Sequence, residues 1–283
     1  MLDYLWRRVG RIYPGFIAAN LVGALLISRW ALQPNALRDG VNWKALWLGT
    51  LSLVGYWQPG FFSGNAYPEV LNGSLWSILY EFKCYLGVAL FGFAGLLSRR
   101  VGLFVIGLVA LVMGYVLTST DPGGIILGAI TTTPQRWTQL VPYFLAGMVA
   151  CVFQDRVQLN GRLVLGSALV LIIFRFVPHG LSLALPLCGN YLLLYFAFSR
   201  CVRLWHLGLH GDFSYGIYLY AYPIQQVVVM MAGGRMHPLL LFLIAWPLSV
   251  LAGVLSWHLV ERWFLRKTRR RRSEGDLAAE AAK

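Results

Sequence analysis

Apolar residues run along this chain in blocks too long for the core of a soluble domain. Span-length blocks fall at about 12–31, 75–97, 101–119, 139–154, 162–178, 181–199, 213–233 and 238–260. A helix needs about 17–25 such residues to cross a bilayer. The pattern therefore predicts an all-α, polytopic membrane helix bundle of about eight transmembrane helices. Residues 44–57 are apolar but short, which predicts one interfacial or re-entrant segment. Trp43, Trp47, Tyr56 and Trp57 suit the headgroup level of such a segment.

Charge placement tests the count. Arg7, Arg8 and Arg11 stand at one end, and the run Arg266-Lys-Thr-Arg-Arg-Arg-Arg272 at the other. Basic residues collect on the cytoplasmic side. An even number of spans puts both termini there, in the cell inner (plasma) membrane. Arg99, Arg100, Arg156, Arg162, Arg200 and Arg203 then fall in loops on the same side, leaving Arg38, Lys44, Arg136 and Arg235 on the other. A ninth span at 44–57 breaks this asymmetry. The reading gives one transmembrane domain over residues 1–267 and a basic, then polar, cytoplasmic tail over 268–283.

Composition agrees. Of 283 residues, 58% are hydrophobic and only 12% are charged, about half the charge of a soluble domain. The net charge of +13 reads as topology and contact with membrane lipid, not as nucleic-acid binding. Cys84, Cys151, Cys188 and Cys201 lie in or beside apolar runs with no C-x-x-C, as buried free thiols do. His206 and His210 are four apart, but zinc needs at least three ligands and no third is near in sequence, so no metal site is expected.

Chemistry concentrates in Asn72-Gly-Ser-Leu-Trp-Ser-Ile-Leu-Tyr-Glu-Phe-Lys-Cys-Tyr85. Glu81 and Lys83 sit in a segment otherwise built to dissolve in lipid. A charge there costs roughly 2.5–3.5 kcal/mol on insertion scales. If the stretch is helical, Ser74, Ser77, Glu81 and Tyr85 form a polar stripe facing other helices or a wet cavity. Glu81 is open to two readings, a carboxylate pinning a helix junction or a group that positions a hydroxyl acceptor or a catalytic base. Arg8 and Arg11 share a helix face and serve either as positive-inside anchors or as phosphate ligands. Pro14 suits the first turn of the first span. Asp212 or Ser214 is expected to cap the helix that follows, and Pro223 frees a carbonyl within it, with Gln225 or Gln226 near a wet cavity. His258 is the one histidine inside a predicted span, three residues before Glu261, and is read as a tether or a base.

Asn-Gly-Ser-Leu-Trp-Ser-(x)3-Glu-Phe-(x)2-Tyr, residues 72–85, resembles the Trp-Glu motif of the membrane-bound acyltransferase family 3. Arg8-x-x-Arg11-Ile-Tyr-Pro14 is similar to that family's R-x-x-R element. Tyr143-Phe-Leu-Ala-Gly-Met148, Ser214-Tyr-Gly-Ile-Tyr-Leu219 with Pro223, and Val260-Glu-Arg262 resemble later elements in family order, over about residues 4–267.

The resemblance implies transfer of an acyl group, often acetyl, from acyl-CoA to a hydroxyl of a glycan or lipid-linked saccharide. Acyl-CoA enters as a co-substrate and no bound cofactor is implied. Arg8 and Arg11 would hold the CoA phosphates. Glu81 is the catalytic-site carboxylate. Asn72, Trp76, Ser77, Tyr85, Tyr215, Tyr218, His258 and Glu261 would line the acceptor pocket or support the core. The family's first two helices have no counterpart here, so its general-base histidine is expected upstream of Met1, with His258 as a substitute. The alternative reading is a transporter or flippase of a lipid-linked saccharide, since intramembrane acids also mark transport paths.

Overall fold

The computed structural model describes residues 2–31, 40–95, most of 102–112, 134–199 and 211–265. Arg38, Arg99, Arg100, Arg200, Cys201, Arg203, His206, His210, much of the 101–119 run and the 268–283 tail lie outside the described residues, as does the Arg136 side chain.

Among the described residues every regular element is helical. α1 (Leu2–Val22) runs on through a π-helical stretch, Gly23–Ile27, into Ser28–Ala31. α2 is Trp43–Leu51 and α3 is Trp76–Phe93. α4 (Pro134–Val152) and α5 (Gly161–Phe174) follow. α6 (Gly180–Ala184) continues through Leu185–Gly189 into Asn190–Phe198. α7 is Ser214–Met231, and α8 (Pro238–Ser256) continues through Trp257–Glu261.

Asp3–Ala31, Gly180–Phe198 and Pro238–Leu265 are long and apolar enough to cross a membrane by length and composition. Three of the eight expected spans meet that standard among the described residues; Leu140–Val152 and Gly161–Phe174 are apolar but shorter. Along α8, Leu240, Phe242, Leu243, Trp246, Leu251, Leu255 and Leu259 all face outward. In water a patch of that size invites aggregation; against acyl chains it costs nothing. The short segment expected at 44–57 forms the nine-residue α2, which presents Trp43, Trp47, Leu48 and Leu51 outward and buries Leu46 and Thr50.

Two boundaries differ from expectation. The first helix begins at Leu2, ten residues before the apolar block, so Pro14 is interior and not in the first turn. Arg7, Arg8 and Arg11 are carried on the helix itself. α3 begins at Trp76, which leaves Ser74 in the preceding turn instead of on the helical stripe.

The chain forms two compact units, Met1–Tyr85 with Gly211–Lys283, and Leu86–His210. In the second unit, Asn160 caps α5 through the Arg162 N–H (2.9 Å), and Tyr191 Oη donates to the Gln158 carbonyl (2.8 Å). The Asn190 amide donates to the Tyr143 carbonyl (3.2 Å) and ties α6 to α4.

The first unit holds the candidate chemistry. Its core is Ile12, Phe16, Ala19, Leu53, Leu75, Ile78 and Leu219, with a second cluster around Ala24, Leu46, Tyr56, Phe61 and Phe62. The long connection between α2 and α3 joins that core through buried amides. Asn20 accepts from the Tyr56 N–H (3.0 Å) and donates to Thr50 (3.1 Å). Gln226 is buried and donates to the carbonyls of Tyr67 (2.8 Å) and Val70 (3.0 Å), so its amide is spent on the loop backbone, while Gln225 is exposed. Proline at 223 supplies no N–H to residue 219. The freed Leu219 carbonyl is taken by the Asn72 amide at 2.8 Å. A carbonyl without water nearby must find such a partner.

Candidate functional site

Four charged side chains of the first unit gather from α1, α3 and the residues at the head of α7. Positions 8 and 11 lie on one face of α1 because three residues make nearly a full turn. Arg11 Nη2 meets Asp212 Oδ2 at 2.5 Å, across 201 residues of sequence. Its guanidinium also lies over the Tyr215 ring (5.7 Å), and Tyr215 Oη donates to the Ile12 carbonyl (2.8 Å). Close approach of α7 to α1 is possible because residue 15 is glycine: a Cβ there would stand 2.8 Å from the Tyr215 ring.

Arg8 is placed differently. Its guanidinium lies over Tyr85 (4.4 Å to the ring centroid) and Tyr4 (5.1 Å). Among the described residues it makes no ion pair. Cation–ring contacts of this kind are worth about 0.5–2 kcal/mol and leave the guanidinium hydrogens available to an anion. Tyr85 Oη in turn donates to Glu81 Oε1 at 2.5 Å, one turn back on α3. Glu81 itself is exposed. Lys83 lies over the Tyr80 ring (5.6 Å), away from this face.

One turn before Glu81, Ser77 Oγ and Tyr218 Oη are 2.5 Å apart. Tyr218 donates its hydrogen to the Ser74 carbonyl, so Ser77 is the donor to Tyr218. The predicted stripe is therefore real from Ser77 through Glu81 to Tyr85, and Tyr218 adds a hydroxyl from α7. Trp76 packs edge-on against Tyr80, with centroids 5.9 Å apart. Asn72 serves the backbone, as described above. His258 is exposed and lies against Phe213 (6.3 Å between centroids).

Glu261 is buried, at 2% exposure. Ser256 Oγ donates to its Oε1 (2.9 Å), while Oε2 has no hydrogen-bond partner. The charges of Arg11 and Asp212 both act on it.

Asp212 was expected at most to cap α7. Phe213 takes the cap position instead, without a side-chain bond. Asp212 accepts from the Ser214 hydroxyl (2.5 Å) and is claimed by Arg11. An ion pair outcompetes a neutral cap for the carboxylate. Nothing in the sequence near position 212 signals a partner two hundred residues away. Burial pushes the Asp212 carboxyl up, but the Ser214 hydrogen bond and the Arg11 charge outweigh it, and the net shift is downward. A depressed folded-state value means the contribution is fully present above the ordinary carboxylate value. It is lost as pH falls through the folded value. Acid unfolding followed by tryptophan fluorescence is expected to begin at higher pH in Asp212→Leu than in the unaltered chain.

A profile of the family described as "Acyltransferase domain" matches residues 1–259. The chain is 26% identical over 273 residues to a protein named O-acetyl transferase from Shigella phage Sf6, a match that covers 94% of this chain and 78% of that protein. No solved structure matches.

Proposed function

This chain belongs to acyltransferase family 3, and on that footing we propose that it transfers an acyl group from acyl-CoA to a hydroxyl of a glycan or similar acceptor at the membrane. The phage relative is named an O-acetyl transferase, which favours acetyl as the group and oxygen as its destination. In this reading the chain crosses the inner membrane eight times with both termini in the cytoplasm. The basic run after Leu265 and the three arginines on the first turns of α1 support that orientation.

The observation that carries the proposal is the Arg8–Tyr85–Glu81 sequence of contacts. A guanidinium with no ion pair among the described residues stands on one side of the Tyr85 ring, and an exposed carboxylate is held by the hydroxyl of that ring. Guanidinium suits the phosphates of CoA. The carboxylate suits an acceptor hydroxyl, which donates to it. In the reaction a base takes the hydroxyl proton and the oxygen attacks the thioester carbonyl. The C–S bond breaks, and the departing CoA thiolate takes up a proton. Within this chain the base is assigned to His258, the substitute named above; Arg8, Tyr85 and Glu81 bind and orient.

The test is transfer of labelled acetyl from acetyl-CoA to a panel of free and lipid-linked saccharides by the purified full chain in sealed proteoliposomes. Arg8→Gln is expected to raise KM for acetyl-CoA about tenfold or more, the worth of a charged hydrogen bond of about 1.5–3 kcal/mol, with kcat little changed. Label that enters no saccharide would sink the reading. Saccharide that crosses the bilayer unacylated would favour the flippase.

A further inference from the structure

The two arginines of the R-x-x-R element are in unlike surroundings, three residues apart on one face. Arg11 is already neutralised. It holds Asp212 at 2.5 Å, and Ser214 fixes the other oxygen of that carboxylate. A phosphate brought there would have to displace the Asp212 carboxylate from the guanidinium, and that competition costs affinity. Arg8 has two aromatic rings and, among the described residues, no acid paired to it.

Resting on the acyl-CoA reading above, we infer that Asp212 is a positioning residue for donor binding: it takes up Arg11 and locks α1 to the head of α7, so that Arg8 alone presents its guanidinium to the CoA phosphates. The lock has a second tie in Tyr215 Oη to the Ile12 carbonyl, and it is rigid on the α7 side because Ser214 holds the other oxygen of Asp212. Arg11 is then a brace and not a ligand. Rotation of α1 about its axis by a fraction of a turn would carry Arg8 off the Tyr85 ring.

The experiment is direct binding of coenzyme A to the purified full chain in nanodiscs, by isothermal titration, with acceptor KM measured in parallel. Asp212→Asn keeps the size of the side chain and removes its charge. It is expected to weaken CoA binding about tenfold, the scale of a small misplacement of a binding group. Acceptor KM should stay unchanged, and Asp212→Glu should recover most of the loss. Unchanged or tighter CoA binding in Asp212→Asn would overturn the inference, because a released Arg11 would then be a phosphate ligand in its own right. If that variant does not fold, Ser214→Ala loosens the same clamp without touching the ion pair. Weaker CoA binding there supports the role, and unchanged or tighter binding overturns it. Failure of the unaltered protein to bind CoA at all removes the donor reading itself, and this role with it.

Discussion

Replacing Glu81 with glutamine is expected to make the protein more stable and far less active. The carboxylate is exposed on α3, whose one other charged residue is Lys83, and a charge at the centre of such an apolar helix costs roughly 2.5–3.5 kcal/mol. Glutamine keeps the length and an oxygen to accept from Tyr85, so the 2.5 Å bond becomes an ordinary neutral one, weaker by about 1 kcal/mol. The balance favours the variant by about 1–2 kcal/mol. Activity should fall about 100-fold, because the neutral amide no longer orients the acceptor hydroxyl and the contact with Arg8 through Tyr85 loses its negative end. Thermal unfolding in one detergent and labelled-acetyl transfer, read on the same preparation, check both signs. A variant that is less stable yet fully active would show Glu81 to be a brace at a helix junction.

Gly253→Leu is expected to abolish the fold of the first unit. α7 and α8 pack along their lengths, and the buried positions of α8 are Ala245, Ser249, Gly253 and Ser256. A Cβ on Gly253 would stand 2.5 Å from Ile217 Cγ1 and 2.8 Å from the Ile217 backbone nitrogen. A Cβ on the facing Gly216 would stand 2.9 Å from the Gly253 Cα. Neither helix can yield by turning a side chain, since backbone meets backbone. Helices in lipid gain little from apolar burial and hold together by such close approach. The cost is at least about 3 kcal/mol, at the upper end for overpacking. Gly166→Leu is the control: nothing lies within 4 Å of a Cβ there, and the residue is exposed on α5. Size-exclusion profiles in detergent should show aggregate for Gly253→Leu and a single species for Gly166→Leu. A folded Gly253→Leu protein with wild-type melting would refute the backbone contact.

The stripe Ala245, Ser249, Gly253, Ser256 was present in the sequence at helical spacing, yet an apolar block of that kind reads first as a span. Its small residues become informative only when a partner helix is known. The same holds for Asn72. It reads as a member of the family motif, and its physical task, satisfying the Leu219 carbonyl that Pro223 orphans, requires knowing that the two segments touch. Asp212 is the clearest omission. Its partner Arg11 was singled out as a phosphate ligand, and a pairing across 201 residues leaves no local trace.

The amino-acid sequence by itself determined the helical class of this protein, its described helical elements to within a few residues at most ends, and the family. Hydrophobic block length against bilayer thickness is a one-dimensional property, and ordered motifs are read without geometry. Tertiary structure decided which polar groups are used up and which remain available. It neutralised Arg11 with Asp212 and set Arg8 on two rings. It buried Gln226 against a loop, and it left Glu81 exposed with one hydroxyl upon it. Those outcomes depend on which helix faces meet, and electrostatic pairing and hydrogen bonding act only over the few ångströms that packing brings within reach.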